Sequence, residues 1–228
     1  MVNFSALKEF KGTVDFFLLR HGKSEGNKKD IIQGHLDYPL SDEGRAQAKK
    51  TGVWLAGKEI QSVRCSPLKR AAETAALAAH SAGLPPPLPL PHLMELDTGV
   101  YTGLTLAEAE GKYPALWPRF QEQSWEGVEG AETINTLKER AGSVWESLVE
   151  EAAGIAEKRE NLTSCRFGVL AVTHAGFLQW LIKAVSGGES WFPLFAMGHC
   201  GLYQLSVTGT VLRWELLNFQ AEGVTGKR

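Results

Sequence analysis

The stretch Val14-Asp15-Phe16-Phe17-Leu18-Leu19-Arg20-His21-Gly22 joins an apolar run to a guanidinium, an imidazole and a glycine. The apolar run predicts a buried strand, with Arg20 and His21 at its carboxyl end. In open α/β sheets, ligands bind at that edge. Neutral histidine carries a lone pair near pH 7, and arginine binds phosphate oxygens bidentately. The stretch therefore predicts phosphate chemistry with His21 as nucleophile, and Gly22 is interpreted as leaving room beside the anion.

A second apolar run, Phe167–Thr173, ends in a similar way. It is followed by His174-Ala175-Gly176 and then by Phe177–Val185, which is apolar almost all round and predicts a buried helix. His174 would then lie beside a helix N-terminus, which favours anions. One histidine in such a place is usually structural, but two histidines after two apolar strands favour a shared site.

The remaining pattern alternates between strand and helix. Further strands are predicted around Ser62–Cys65 and as a hairpin of Gly201–Val207 and Val211–Leu217 with its turn at Thr208-Gly209. Helices are predicted from the Ser41 cap to about Ala56, from the Ser66-Pro67 cap to about Ala82, and within 131–153. The alternation favours a single α/β domain over residues 1–228, with a mostly parallel sheet between two layers of helices.

Two segments have an unusual composition. Residues 101–130 have no strand pattern, contain five aromatic residues and carry a net charge of −3. We expect a helical insertion there, either a lid over one end of the sheet or a region whose aromatic residues simply pack together. The preceding Leu84–Pro91 (LPPPLPLP) predicts a stiff extended connection, with a polyproline ligand as the alternative.

The overall composition excludes several classes of protein. Of the 228 residues 43% are hydrophobic and 22% are charged, which is enough to bury a core. The net charge of −2, with no basic run longer than a pair, gives no reason to expect nucleic acid or an anionic membrane as a partner. Cys65, Cys165 and Cys200 are too far apart for a disulfide framework. With no apolar run of roughly 18 residues and no secretory pattern, we expect a cytoplasmic protein, and the oligomeric state, a homodimer included, stays open.

Several other side chains are candidates for a phosphate site. Arg70 follows a predicted strand near a helix N-terminus, where a cation is disfavoured unless an anion is present. Ser24 and Asn27 offer short-range donors, and both Glu95 and Asp97 offer a carboxylate as proton donor. The pair His199-Cys200 has no partner at metal-ligand spacing, and no Gly-rich nucleotide motif occurs, so we expect neither a metal nor a cofactor.

These residues lie in motifs that resemble the histidine phosphatase superfamily, which has the phosphoglycerate-mutase-like fold. The matching segments follow the family's order and lie within residues 14 to about 207: Leu18–Asn27, Gln33-Gly34 with Asp37, Pro39-Leu40-Ser41 with Gly44, Ser66–Ala71 with Thr74, Leu93–Gly103, Gly130–Thr133 and Val172–Gly176.

The resemblance implies a phosphohistidine intermediate on His21, with Arg20, Arg70 and His174 holding the phosphate. The register of the acid motif selects Glu95 as the proton donor, and the family needs no metal. The substrate-binding residues that the motifs imply are Gly22, Ser24, Asn27, Gln33, Gly34 and Ala175.

One departure favours a phosphatase over a mutase. Phosphoglycerate mutases commonly follow the acid with Arg-His-Tyr-Gly and a long insertion that adds cations, whereas here Glu95 precedes Leu96–Gly99 and a short acidic segment. Lys23, which replaces a Glu or Gln common in the family, faces either the phosphate or solvent. We expect a phosphomonoesterase acting on a small organic phosphate. A cofactor-dependent phosphoglycerate mutase and a non-catalytic phospho-binding scaffold are the alternatives.

Overall fold

The computed structural model describes residues 2–159 and 166–221, and its centre is a six-stranded sheet. The strands are β1 (Thr13–Arg20), β2 (Ile60–Cys65), β3 (Leu88–Pro89), β4 (Arg166–Thr173), β5 (Leu202–Thr208) and β6 (Val211–Phe219). Their order across the sheet is β3-β2-β4-β1-β5-β6, and β5 runs in the opposite direction to the other five strands. The predicted mostly parallel sheet is confirmed.

Helices cover both faces of this sheet. They are α1 (Asp42–Leu55), α2 (Lys69–Ala82), α3 (Leu106–Lys112), α4 (Trp117–Gln123), α5 (Ile134–Glu157) and α6 (Ala175–Ser186). Phe16 and Leu18 of β1 pack on the α5 and α6 side, whereas Phe17 and Leu19 pack on the α1 and α2 side. Because side chains alternate along a strand, a strand covered on both faces is apolar at every such position. This confirms the three-layer α/β architecture.

The register between β1 and β4 brings the two histidines together. Arg20 pairs with Thr173 in the parallel ladder, and the His21 amide donates to the Thr173 carbonyl over 2.9 Å. The next residue after each strand is therefore a histidine at the same edge, with 5.1 Å between the centroids of the His21 and His174 rings.

Two predicted boundaries are wrong. Ser66 does not cap α2, because the helix begins only at Lys69 and Leu68 occupies the N-cap position. The Ser66 hydroxyl lies instead beside the ring of His174. The hairpin turn lies at Gly209-Thr210, because Thr208 still pairs with Val211 in the ladder. The other predicted strands and helices occur within a few residues of their expected bounds.

The structure shows how the two segments of unusual composition pack. Leu88–Pro89 forms the edge strand β3 on β2, so the proline-rich segment is the extended connection that we expected. In the 101–130 insertion, α3 and α4 enclose the buried Tyr101 ring, which contacts Tyr113 and Phe120. Cys165 lies outside the described residues. Within the described ranges, no helix is long and apolar enough to cross a membrane.

Candidate active site

A cavity of about 320 Å³ opens at the carboxyl ends of the central strands. Its lining includes Arg20 at the end of β1, His21 directly after it, Arg70 on the first turn of α2, Ala175 at the start of α6, and Glu95. The carboxyl ends of parallel strands meet at one edge of a sheet, which is why residues so distant in sequence converge here. The cavity therefore lies where the sequence predicted a phosphate site.

The His21 side chain has its tautomer set by the backbone. Its Nδ1 lies 2.7 Å from the Gly22 carbonyl oxygen, which only accepts, so Nδ1 donates and the lone pair is on Nε2. No described residue hydrogen-bonds to Nε2, and the side chain lines the cavity although it is only 3% exposed. Burial, followed by the positive charges of Arg20 and Arg70, lowers the pKa of His21 well below 6.5. The ring is therefore neutral and able to attack near neutral pH.

Arg20 presents an unmatched donor beside this ring. Its Nη1 donates to the Met197 carbonyl, but its Nε is buried and has no hydrogen-bond partner among the described residues. Burial lowers the pKa of the Arg20 guanidinium, and the negative charge of Glu95 partly opposes that effect. A buried charged donor without a partner is costly unless an anion binds there. Arg20 is therefore poised to bind an anion in the cavity.

Arg70 is held in place on every side. Its Nη1 donates to the Leu36 carbonyl over 2.7 Å, its Nη2 to the Gly34 carbonyl over 2.8 Å, and its Nε to Nδ1 of His174 over 3.1 Å. Burial lowers its pKa too, although Glu95 and Asp37 oppose that effect. A guanidinium has five N–H donors, so two remain for a ligand.

His174 lies behind Arg70 rather than on the cavity wall. The ring is fully buried, and because Arg70 can only donate, Nδ1 of His174 carries the lone pair. Its Nε2 therefore bears the proton and donates to the Ser66 hydroxyl over 2.7 Å. Burial, followed by the charge of Arg70, lowers the pKa of His174 well below 6.5. With both nitrogens engaged, His174 orients Arg70 in this structure.

The Glu95 carboxylate is fixed by backbone amides. It accepts from the amides of Leu96 over 3.0 Å, Phe177 over 2.8 Å and Gly176 over 3.2 Å, and the last two belong to the N-terminal turn of α6. A Cβ on Gly176 would lie 2.8 Å from Oε1 of Glu95, so α6 approaches this closely only with glycine. Asp97, the other candidate, is exposed, bonds to the Gly99 amide and does not line the cavity.

Gly22 lies on the side of its loop that faces α1. Gly22 does not line the cavity; it packs against α1, where a Cβ would lie 2.6 Å from the Gly44 carbonyl oxygen. A Cβ on Gly44 would in turn lie 2.1 Å from the Lys23 carbonyl oxygen. The Gly22 amide donates to the Thr74 hydroxyl over 3.0 Å. The absence of a side chain at Gly22 thus allows the loop to pack closely on the helix.

The other predicted binding residues divide into two groups. Asn27, Gln33, Gly34 and Ala175 line the cavity. Ser24 does not: it is fully buried, and its hydroxyl lies 2.8 Å from both Asn27 Oδ1 and Gln33 Oε1, so it orients those two amides. Lys23 also stays outside, because its ammonium pairs with Glu43 over 2.9 Å.

One wall of the cavity was not predicted from the sequence. Trp191 and Met197 bound a segment that lines the cavity with apolar side chains. The sequence feature that could have indicated this wall is the run Trp191–Phe195 (WFPLF), in which three of five residues are aromatic. His199, the histidine of the His199-Cys200 pair, does not line the cavity, and burial lowers its pKa to about 4.

Known proteins share both the sequence pattern and the fold. The family model of the histidine phosphatase superfamily (branch 1) matches residues 16–220. Glucosyl-3-phosphoglycerate phosphatase of Mycolicibacterium vanbaalenii is 27% identical over 83% of this chain and 82% of that protein. Phosphoglycerate mutase-like protein 4 of Arabidopsis thaliana is 30% identical over 74% of this chain and 70% of that protein.

A further relative and a solved structure agree with these matches. Metal-independent phosphoserine phosphatase of Arabidopsis thaliana is 28% identical over 81% of this chain and 78% of that protein. The structure of mycobacterial glucosyl-3-phosphoglycerate phosphatase with VO3 superposes with a TM-score of 0.74 at 25% identity, covering 90% of this chain and 98% of that chain.

Proposed function

The chain belongs to the histidine phosphatase superfamily and is a hydrolase of phosphate esters, and we propose that it cleaves small organic phosphomonoesters through a phosphohistidine on His21. One observation carries this mechanism: a neutral imidazole faces a cavity in which two arginines and a carboxylate also meet. A nucleophile, cationic donors for the equatorial oxygens and an acid at the leaving oxygen are the parts that phosphoryl transfer needs.

The first half-reaction transfers the phosphoryl group to the enzyme. The lone pair on Nε2 of His21 attacks phosphorus, a P–N bond forms, and the bond from phosphorus to the ester oxygen breaks. Arg20 and Arg70 hold the remaining phosphate oxygens with the donors that the protein leaves unused. The Glu95 carboxyl group gives its proton to the departing oxygen, so the product leaves as a neutral alcohol.

The second half-reaction returns the enzyme to its starting state. A water molecule enters beside the phosphohistidine, and the Glu95 carboxylate accepts its proton as the water oxygen attacks phosphorus. The P–N bond breaks, the electron pair returns to Nε2, and inorganic phosphate leaves. Glu95 is protonated again, so the net reaction consumes one ester and one water.

The nucleophile assignment is tested by hydrolysis of 4-nitrophenyl phosphate in the presence of a chelator. We expect release of nitrophenol by the wild-type protein and none above background by His21→Ala. Equal rates for the two proteins would exclude His21 as the nucleophile.

A mutase assay separates hydrolysis from the alternative reaction. With 3-phosphoglycerate and a bisphosphoglycerate primer, we expect inorganic phosphate or no product at all. Rapid formation of 2-phosphoglycerate would replace the proposed phosphatase by a mutase.

Two statements about context belong to the same proposal. The widely spaced cysteines of the sequence support a cytoplasmic enzyme. The chain acts as a single domain, in monomeric or homodimeric form, and sedimentation of the purified protein distinguishes these forms.

A further inference from the structure

We infer that the natural substrate is the phosphate ester of an uncharged, largely apolar alcohol with an aromatic ring or a branched aliphatic group, and not an ester whose alcohol carries a carboxylate. This inference rests on the proposed function, because it concerns the part of the cavity that receives the leaving group. The relatives named for glucosyl-3-phosphoglycerate and phosphoserine act on carboxylate-bearing esters, so the inference sets this chain apart from them.

The cations of the cavity are the first reason. Among the described residues that line it, the cationic side chains are Arg20 and Arg70, and the phosphate itself needs both. Two nearby lysines are engaged elsewhere: Lys23 pairs with Glu43, and the buried Lys183 donates to the Pro193 carbonyl over 2.8 Å. A substrate carboxylate would lose its hydration without gaining a cationic partner, which is strongly unfavourable.

Two polar side chains of the cavity, those of Gln179 and Thr98, are the second reason. Both ends of the Gln179 amide are bonded to the backbone of Phe195, over 2.8 Å and 2.9 Å. The Thr98 hydroxyl lies 2.7 Å from the Thr102 hydroxyl. These groups are already satisfied within the protein, so they have little capacity left to solvate a charge on the leaving group.

Apolar side chains supply a further part of the wall. They come from the acid motif, the 101–130 insertion and the loop after α6: Leu96, Trp125, Trp191, Leu194, Phe195 and Met197. Trp125 packs on Phe120 with 5.2 Å between ring centroids, and Trp191 packs edge-on against Trp180 at the same distance. Rings held in this way offer flat apolar surfaces to a ligand, and burying an apolar group there is favourable.

The loop after α6, which carries the side chains from Trp191 to Met197, is held in place by hydrogen bonds to its backbone. Its carbonyls accept from the Lys183 ammonium, from the Gln179 amide, from the Tyr203 hydroxyl at Ala196 and from the Arg20 guanidinium at Met197. Arg20 therefore connects the apolar wall to the phosphate end of the cavity. A wall that is formed before the substrate arrives binds without the cost of ordering a loop.

A matched pair of substrates tests the inference. The 4-isopropylbenzyl and 4-carboxybenzyl phosphates have nearly the same shape and differ in the charge of the para group. We expect kcat/KM to be at least about tenfold higher for the isopropyl ester, because the carboxylate has no partner in the cavity. The 4-nitrophenyl ester is measured in parallel as the general phosphatase substrate.

A second experiment uses a variant that should improve hydrolysis of the carboxy ester relative to the isopropyl ester. Leu194 lines the cavity and is 52% exposed, so Leu194→Arg places a cation at the rim without disturbing the core. The ratio of kcat/KM for the isopropyl ester to kcat/KM for the carboxy ester should fall about threefold or more in this variant, as expected for a partly exposed ion pair. Phe192→Arg is the control, because Phe192 is 47% exposed and does not line the cavity, and it should leave the ratio unchanged.

The outcomes separate the inference from the proposed function. If kcat/KM for the carboxybenzyl ester equals or exceeds that for the isopropylbenzyl ester, the inference is overturned. The proposed phosphatase activity would still be supported by that result. An equal change of the ratio in Leu194→Arg and Phe192→Arg also overturns it, because general charge would then explain the effect. Absence of hydrolysis with all three esters overturns the proposed function and this inference with it.

Discussion

The carboxyl ends of β1 and β4 look alike in sequence, since each is a buried apolar strand followed by a histidine, yet they differ in chemistry. At the end of β1, the Gly22 carbonyl engages one nitrogen of His21 and leaves the other open to the cavity. At the end of β4, Arg70 and Ser66 engage both nitrogens of His174. The comparison teaches that strand position brings a histidine to the site, whereas its hydrogen-bond partners decide whether it can attack.

The largest effect should come from exchanging each histidine for asparagine. His21→Asn removes the proposed nucleophile, so we expect kcat/KM for 4-nitrophenyl phosphate to fall by about 10⁴-fold or more. His174→Asn loosens Arg70 and should cost about 10²-fold, as for the loss of one oriented donor. An acid-labile, alkali-stable phosphoenzyme should be trapped from His174→Asn and not from His21→Asn. Equal losses, or a phosphoenzyme on His21→Asn, would remove the distinction.

The next largest effect concerns Glu95, the proposed proton donor, which accepts from amides of α6. Glu95→Gln keeps an accepting oxygen for the α6 amides but has no proton to give, so hydrolysis of an alkyl phosphate should slow by about 10²-fold to 10³-fold. The loss should be smaller for 4-nitrophenyl phosphate, because nitrophenolate leaves without protonation. Asp97→Asn is the matched control and should change neither rate, since Asp97 is exposed and outside the cavity. Similar losses in the two variants would refute the assignment to Glu95.

A smaller effect, on stability, is expected from removing the Ser66 hydroxyl, which bonds to His174. Ser66→Ala leaves the Nε2 proton of a fully buried ring without an acceptor, so the free energy of unfolding should fall by about 1–3 kcal/mol. Chemical denaturation measures this loss, and the double variant with His174→Asn should lose less than the sum of the two single losses. Strict additivity would show that the two side chains act independently.

The smallest effect is the pH dependence of stability. In the folded protein the pKa of each active-site histidine lies well below the ordinary value of 6.5, because burial disfavours the charged ring. Below about pH 6.5 the unfolded chain therefore binds more protons, and the free energy of unfolding falls as the pH falls. Between pH 7.5 and 5.5 we expect a loss of about 1 kcal/mol per histidine. His21→Asn should show a smaller loss, and a gain of stability on acidification would contradict the lowered pKa values.

Much of this architecture was predictable from local patterns. The central strands are apolar at successive positions because both faces are covered. The predicted cap of α1 is present, since the Ser41 hydroxyl accepts from the Gly44 amide. The motif register selected Glu95 over Asp97, and the structure places Glu95 in the cavity and Asp97 outside it.

What could not be predicted depends on contacts between distant segments. Ser66 was interpreted as a cap because its neighbour is proline, but its hydroxyl serves a histidine 108 residues away. The apolar wall around Trp191 has no periodic pattern, since its side chains are brought to the cavity by backbone bonds to Gln179 and Lys183. Such roles require the tertiary structure, because the partners are not neighbours along the chain.

The contact between Gly22 and Gly44 has a use in comparing sequences. A side chain at either position would push α1 and the loop that contains His21 apart, and His21 would lose its alignment with the sheet edge. Among related chains, an Arg-His pair after the first strand is therefore an insufficient marker of an active enzyme. The pair of glycines, separated by twenty-two positions, should serve as a second marker, and a chain that lacks either one should be suspected of having lost turnover.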